Sequence, residues 1–269
     1  MVEEIAHLGL LDDEAIGLET SALELAALDH PGIDLAPYLD MLDGMAEQAA
    51  SHGAAARSAS ERASVLADVI AGEHGFGGDR DSYDDPRNAD LIEVMERRLG
   101  LPVSLSILYV GIGRRIGWQA DALNTPGHVL VRLGPDPAPV LIDPFHLGEI
   151  VDTAQLARLL AHATRGGAIT AEHLAAMSNR EVLVRLLTNQ ASRAERSGNS
   201  ERALTVYRRM TTVAPAHGFG WWERARLELI GGDVAAARAS LSAMLEMTRD
   251  PALRAHVSAA LDALAGSSD

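Results

Sequence analysis

Three side chains have the types and the order for acyl-group chemistry: Ser104, His128 and Asp143. A hydroxyl attacks a carbonyl only when a base at contact distance takes its proton, and histidine serves best when a carboxylate fixes its tautomer. His128 follows Pro126-Gly127 and opens the apolar run Val129-Leu130-Val131, while Asp143 ends Val140-Leu141-Ile142. Neighbouring strands would bring the imidazole and carboxylate within hydrogen-bond reach. The same pair would serve equally well as a buried tie across a hairpin. Ser104 and Ser106 fall in the first turn of a helix opening at Pro102, where free amides and the dipole favour an anion. Serine at such a place also does the ordinary work of capping those amides. The chain has no cysteine, so any nucleophile of this kind is an oxygen.

Other chemistries are narrowed by composition. All 23 basic residues are arginine, which excludes Schiff-base and phosphate-binding lysines. Without cysteine there are neither disulfides nor thiolate metal sites, which fits a cytoplasmic protein. His146 would complete a minimal metal set with His128 and Asp143, but no His-x-x-x-His helix supports one, and neither metal nor cofactor is expected. Residues 1–56 hold twelve acids and no arginine or lysine, which is most of the net charge of −15. That balance disfavours nucleic acid and anionic membrane as partners. It reads first as a solvated helical face and second as a docking surface. No apolar run approaches the roughly 18 residues of a membrane span, and Met1-Val2-Glu3-Glu4 does not begin like a signal peptide.

The elements that must position these residues are legible in outline. Residues 1–19 read as a loosely held arm, and helices follow at about 20–29 and 34–52, with Asp34 as a cap. Ser58-Ala59-Ser60-Glu61 is a capping box for a helix reaching about Glu73. A polar glycine-rich loop covers Gly75 to Asp85, and Asp85-Pro86 starts a helix over 87–99 that Gly100 ends. The next helix runs from Pro102 to Ile116. Extended segments follow at about 119–123, 128–133 and 139–142, the last two pairing across Gly134-Pro135-Asp136-Pro137. A helix near 152–163, capped by Asp152 or Thr153, leads to a hinge at Arg165-Gly166-Gly167. The remainder is helical with an internal period. Gly198-Asn199-Ser200-Glu201 recurs 34 residues later as Gly232-Asp233-Val234-Ala235, a spacing that resembles tetratricopeptide repeats. Phe219, Trp221 and Trp222 open the second repeat and read as packing anchors.

Several runs in fixed order carry a family resemblance: Tyr83 to Asn88, Leu91 to Leu105, Arg114-Arg115-Ile116-Gly117, Pro126-Gly127-His128 and Ile142-Asp143-Pro144-Phe145. Together they resemble the transglutaminase-like domain of SirB-type proteins, which join it to C-terminal tetratricopeptide repeats. The resemblance covers roughly residues 60–265 and implies an α+β, papain-like core of helices plus a small antiparallel sheet, followed by a helical repeat array. His128 and Asp143 match the family's strand positions. Ser104 is the nearest counterpart of the catalytic cysteine, about two residues closer to the Arg-Arg-x-Gly helix end than that cysteine would be. The resulting division is an acidic helical region over 1–56, a transglutaminase-like domain over 57–165 and repeats over 166–269.

Two functions compete at this stage. One is a non-catalytic scaffold whose repeats bind a protein or peptide. The other is a serine-based acyl-transfer or amide-hydrolysing enzyme using Ser104, His128 and Asp143. A third reading makes the His–Asp pair purely structural in a helical adaptor.

Overall fold

Local signals set the first helices. Helix α1 (Leu18–Ala27) is separated from α2 (Ala36–His52) by a turn at Gly32, whose φ is 81°. Asp34 Oδ1 accepts the Ala36 amide at 2.9 Å, capping α2 from just before its start. Helix α3 (Ala59–Ala67) opens on the expected capping box, with the Glu61 amide donating to Ser58 Oγ at 3.2 Å and the Ser58 amide to Glu61 Oε2 at 2.8 Å. It continues as a π-helical stretch to Glu73. The computed structural model describes residues 3–134, 138–163 and 170–266, and the chain forms two compact units. The larger is Asp13–Leu186; the smaller joins Met1–Asp12 to Leu187–Asp269.

In the larger unit the segment 75–85 departs from the polar loop that its composition suggests. Phe76 is fully buried, and Gly77–Gly78 forms strand β1, paired in parallel with β2 (Leu99–Gly100). A Cβ on Gly78 would lie 2.4 Å from the Phe145 ring, so this glycine serves a close approach of backbone to ring. The single helix expected over 87–99 is in fact two. Asp85 caps a 3₁₀ turn, Pro86–Ala89, and Asp90 then restarts the chain as α4 (Leu91–Arg97), its Oδ1 accepting the Ile92 and Glu93 amides at 3.0 and 3.2 Å. Helix α4 ends at Arg98, in the left-handed region at φ 62°, rather than at Gly100. The Arg98 guanidinium lies over the Phe76 ring, 4.6 Å from its centroid.

Helix α5 (Pro102–Arg115) is buried at every position from Pro102 to Gly113, and α1, α2 and α3 pack against it. It is apolar nearly all round, the pattern of a central rather than a surface helix. At its end Arg115 binds Glu19 of α1, Nε to Oε1 at 2.8 Å, and also Asp43 of α2. Part of the N-terminal acid excess is therefore spent on tying these helices to the core.

Four antiparallel strands lie side by side in chain order: β3 (Ala120–Leu123), β4 (Leu130–Leu133), β5 (Val140–Asp143) and β6 (Glu149–Ile150). Leu123 faces Leu130, Val131 faces Ile142, and Asp143 faces Glu149. The turn residues Pro135–Pro137 and the hinge Arg165-Gly166-Gly167 lie outside the described residues. Helix α6 (Thr153–Ala163) starts at Asp152, whose Oδ1 accepts the Gln155 amide at 2.7 Å.

The smaller unit is helical. Helix α7 (Asn179–Arg196) spans the boundary between the units, and α8 (Ser200–Val213), α9 (Gly218–Ile230), α10 (Val234–Met247) and α11 (Pro251–Gly266) follow as successive packed pairs. The 34-residue period is realised as one turn used twice. Gly198 (φ 77°) and Gly232 (φ 81°) each precede a capping residue, Asn199 receiving the Arg202 amide at 3.0 Å and Asp233 the Ala236 amide at 2.9 Å. The N-terminal segment, expected to be loose, is a 3₁₀ helix over Glu3–Gly9 packed on α8, with Ile5 and Leu8 buried. Its apolar residues are too few to show a period, yet Ile5 and Leu8 are buried where the segment meets α8. Trp221 and Trp222 help to line the core formed by Ala225, Leu241 and Met244. No helix among the described residues is long and apolar enough to cross a membrane.

Candidate functional site

A tight turn places His128. In Thr125-Pro126-Gly127-His128 the His128 amide donates to the Thr125 carbonyl at 3.2 Å, and Gly127 has φ 69°, as proline and glycine favour in a type II turn. The strand begins two residues beyond it, at Leu130, so His128 sits on the turn and not on the strand. Because Val131 faces Ile142, the end of β5 reaches the same edge of the sheet. There Asp143 does two jobs at once. It ends β5, and its Oδ1 accepts the Phe145 and His146 amides at 3.0 and 3.3 Å, turning the chain into the 3₁₀ helix Pro144–His146.

That turn brings a second imidazole to the carboxylate. His146 Nδ1 lies 2.8 Å from Asp143 Oδ2 in a hydrogen bond, while His128 Nε2 lies 2.9 Å from Oδ1. The second contact is an ion pair by distance only. His128 Nε2 is a buried atom without a hydrogen bond. Phe145 packs edge-on to both rings, with centroids 6.1 Å from His128 and 5.4 Å from His146. Burial pushes the Asp143 carboxyl up, but the adjoining imidazoles, His128 first and then the hydrogen-bonded His146, outweigh it and hold it below the usual carboxylate range. Tyr109, on α5, is pushed well above its ordinary value by burial and by the Asp143 charge, and its buried hydroxyl has no hydrogen-bond partner.

The serines stand apart from this group. Ser104 is fully buried, and its Oγ donates to the Asn88 carbonyl at 2.7 Å; no hydrogen bond joins it to His128. Ser106, equally buried, donates to the Pro102 carbonyl at 2.6 Å, the back-bond of a serine within a helix. Of the three residues singled out by type and order, then, His128 and Asp143 meet and Ser104 is engaged elsewhere. Tyr109 is the addition, and His146, named from the sequence only as a third metal donor, joins the pair at the carboxylate. His146 was legible in Asp143-Pro144-Phe145-His146, where an Asx cap folds position i+3 back onto the carboxylate. Tyr109 left no such sign, since nothing local separates it from its apolar neighbours on α5.

Asp143 and His146 also line a cleft of about 320 Å3 whose other walls include Glu149, Gln155, Arg158 and His162. An anionic carboxylate between two imidazoles can hold a proton or a cation beside such an opening.

Residues 36–188 match the family profile described as transglutaminase-like superfamily. The chain is 30% identical to a UPF0162 protein of Xylella fastidiosa (strain 9a5c) over 258 residues, 92% of this chain and 91% of that one. It is 35% identical to a UPF0162 protein of Vibrio cholerae over 117 residues, 43% of each chain. It is also 30% identical over 131 residues to the human F-box only protein 21, 46% of this chain and 20% of that protein. The matched profile spans every element around the His128–Asp143 pair, and the bacterial similarity runs through both units. The chain therefore belongs to the transglutaminase-like superfamily and, within it, to the UPF0162 family, as a member without cysteine.

Proposed function

We propose that this is a SirB-type protein that works by binding and not by acyl transfer, its C-terminal array acting as tetratricopeptide-like repeats for a protein or peptide partner. The observation that carries this reading is the engagement of Ser104: in a cysteine-free chain, the serine nearest the expected nucleophile position in sequence is buried and donates to the Asn88 carbonyl. A serine hydroxyl without a base at contact distance is a poor nucleophile, because a helix dipole alone cannot bring its proton within reach of neutral pH. The partner surface is supported by apolar side chains that the array leaves exposed, among them Phe219 and Ile230.

The test is chemical. Purified protein is incubated with a fluorophosphonate probe, and separately with a glutamine peptide and an amine, and intact mass is recorded. No adduct and no amine incorporation are expected. Labelling at Ser104 that disappears in His128→Ala would overturn the proposal in favour of a serine-based acyl-transfer enzyme using Ser104, His128 and Asp143.

A further inference from the structure

We propose that His128, Asp143 and His146 form a binding site for a divalent transition-metal ion of the zinc class. The inference stands apart from the proposed function, since it needs no nucleophile and concerns a different set of atoms.

The donor set comes first. One ligand atom from each of the three residues lies within 4.8 Å of the other two. Two imidazole nitrogens and one carboxylate oxygen match a zinc site with three protein ligands and an open fourth position. The set holds too few oxygens for calcium or magnesium, and no thiolate to select copper(I).

Geometry requires only small movement. Metal–ligand bonds of about 2.0–2.1 Å at tetrahedral angles put ligand atoms about 3.3 Å apart. The two N···O pairs stand at 2.9 and 2.8 Å and would open by a few tenths of an ångström, while the two nitrogens would sit within their present limit. Side-chain torsions of His146, which is 41% exposed, supply that range.

Two further features favour a ligand over a plain carboxylate bridge. Asp143 is held from behind by two backbone amides, the outer support that ligating carboxylates characteristically have. His128 Nε2 is buried and lacks a hydrogen bond, a costly state for a ring nitrogen that a cation would relieve. The cleft along Glu149, Gln155 and Arg158 opens onto Asp143 and His146 and supplies an entry path and a free coordination face. A zinc ion on one carboxylate and two neutral imidazoles keeps a net positive charge, so the open position would take hydroxide or an oxygen of an anionic ligand.

The experiment uses the full chain, dialysed against chelator and titrated with zinc chloride by calorimetry, with thermal unfolding recorded alongside. One zinc per chain and a rise in unfolding temperature are expected. His146→Ala, a change at a half-exposed side chain, should weaken binding at least about 100-fold, because loss of a mere supporting contact already costs 10–100-fold. Asp143→Asn should do the same, and His52→Ala, an exposed histidine in another part of the unit, should change nothing. Circular dichroism of each variant checks its fold. Equal zinc affinity in wild type and His146→Ala would overturn the proposal, as would a stoichiometry well below one or no stabilisation by zinc.

Discussion

Asn88 shows at the residue scale why the serine lies where it does. Its side-chain amide donates to Asp79 Oδ2 at 3.0 Å and to the Ser82 carbonyl at 2.7 Å, its Oδ1 accepts from Arg97 at 3.0 Å, and its backbone carbonyl receives both Ser104 Oγ and the Leu101 amide. A buried amide with every group paired is a structural hub, and Ser104 is one of its spokes. Asp79 is the charged member, its side chain 4% exposed beside Arg97 at 3.1 Å. Burial pushes the Asp79 carboxyl up, but the Ser82 amide, Asn88 and Arg97 together hold it below its ordinary value. With a folded pKa below the unfolded one, Asp79 adds stability that is fully present above about pH 4 and is lost as pH falls through the folded value. Asp79→Asn should therefore cost about 3 kcal/mol at pH 7. Urea unfolding should show that deficit shrinking as pH falls below about 4, through the folded value. A deficit independent of pH would mean that the charge contributes nothing.

At the scale of elements, caps decided where helices begin more reliably than periodicity decided where they end. Ser58, Asp85 and Asp152 were legible as starts because a side-chain oxygen must satisfy amides within its own turn. The break at Asp90 was not, since Leu91, Val94 and Met95 keep one apolar face across it while the backbone restarts beneath them. Strand β1 was missed for a related reason: Gly77 and Gly78 show no pattern, and their pairing with Leu99 and Gly100 comes from residues about twenty positions away. In the array, the paired turns at Gly198-Asn199 and Gly232-Asp233 predict two small, equal contributions. Asn199→Ala and Asp233→Ala should each lower stability by about 1 kcal/mol, whereas the glycine variants should cost only a few tenths. Denaturant midpoints of the single and double variants would check this, and the double should equal the sum because the sites share no partner. A double variant no worse than either single would show that the two turns do not act alike.

For the molecule as a whole, the charge distribution bears on partners. The net −15 is concentrated in residues 1–56, and the pairing of Glu19 and Asp43 with Arg115 removes only part of it. A surface of that sign repels polyanions. Mobility-shift titrations with duplex DNA and with RNA at about 0.15 M salt should show no complex at micromolar protein. A salt-sensitive shift would identify a basic face that the net charge conceals. Two relations were also invisible without the fold. Asp13 binds the Asn179 and Arg180 amides at 2.9 and 2.8 Å, capping α7 from far upstream, and Ile5 and Leu8 pack on α8.

By itself the sequence determined the helical starts, the two long hairpin strands, the doubled turn of the array, the absence of a thiol and the His128–Asp143 pairing. Each of these follows from chemistry inside one turn or between adjacent strands, where few conformations compete. Tertiary structure decided where the Ser104 hydroxyl is engaged, that Tyr109 comes near the carboxylate, and how a glycine loop enters the core. Those outcomes depend on groups from separate segments arriving together, such as Asn88 at Ser104 and Phe145 at Gly78. Burial then compels every polar group to take whichever partner the packing has brought within reach.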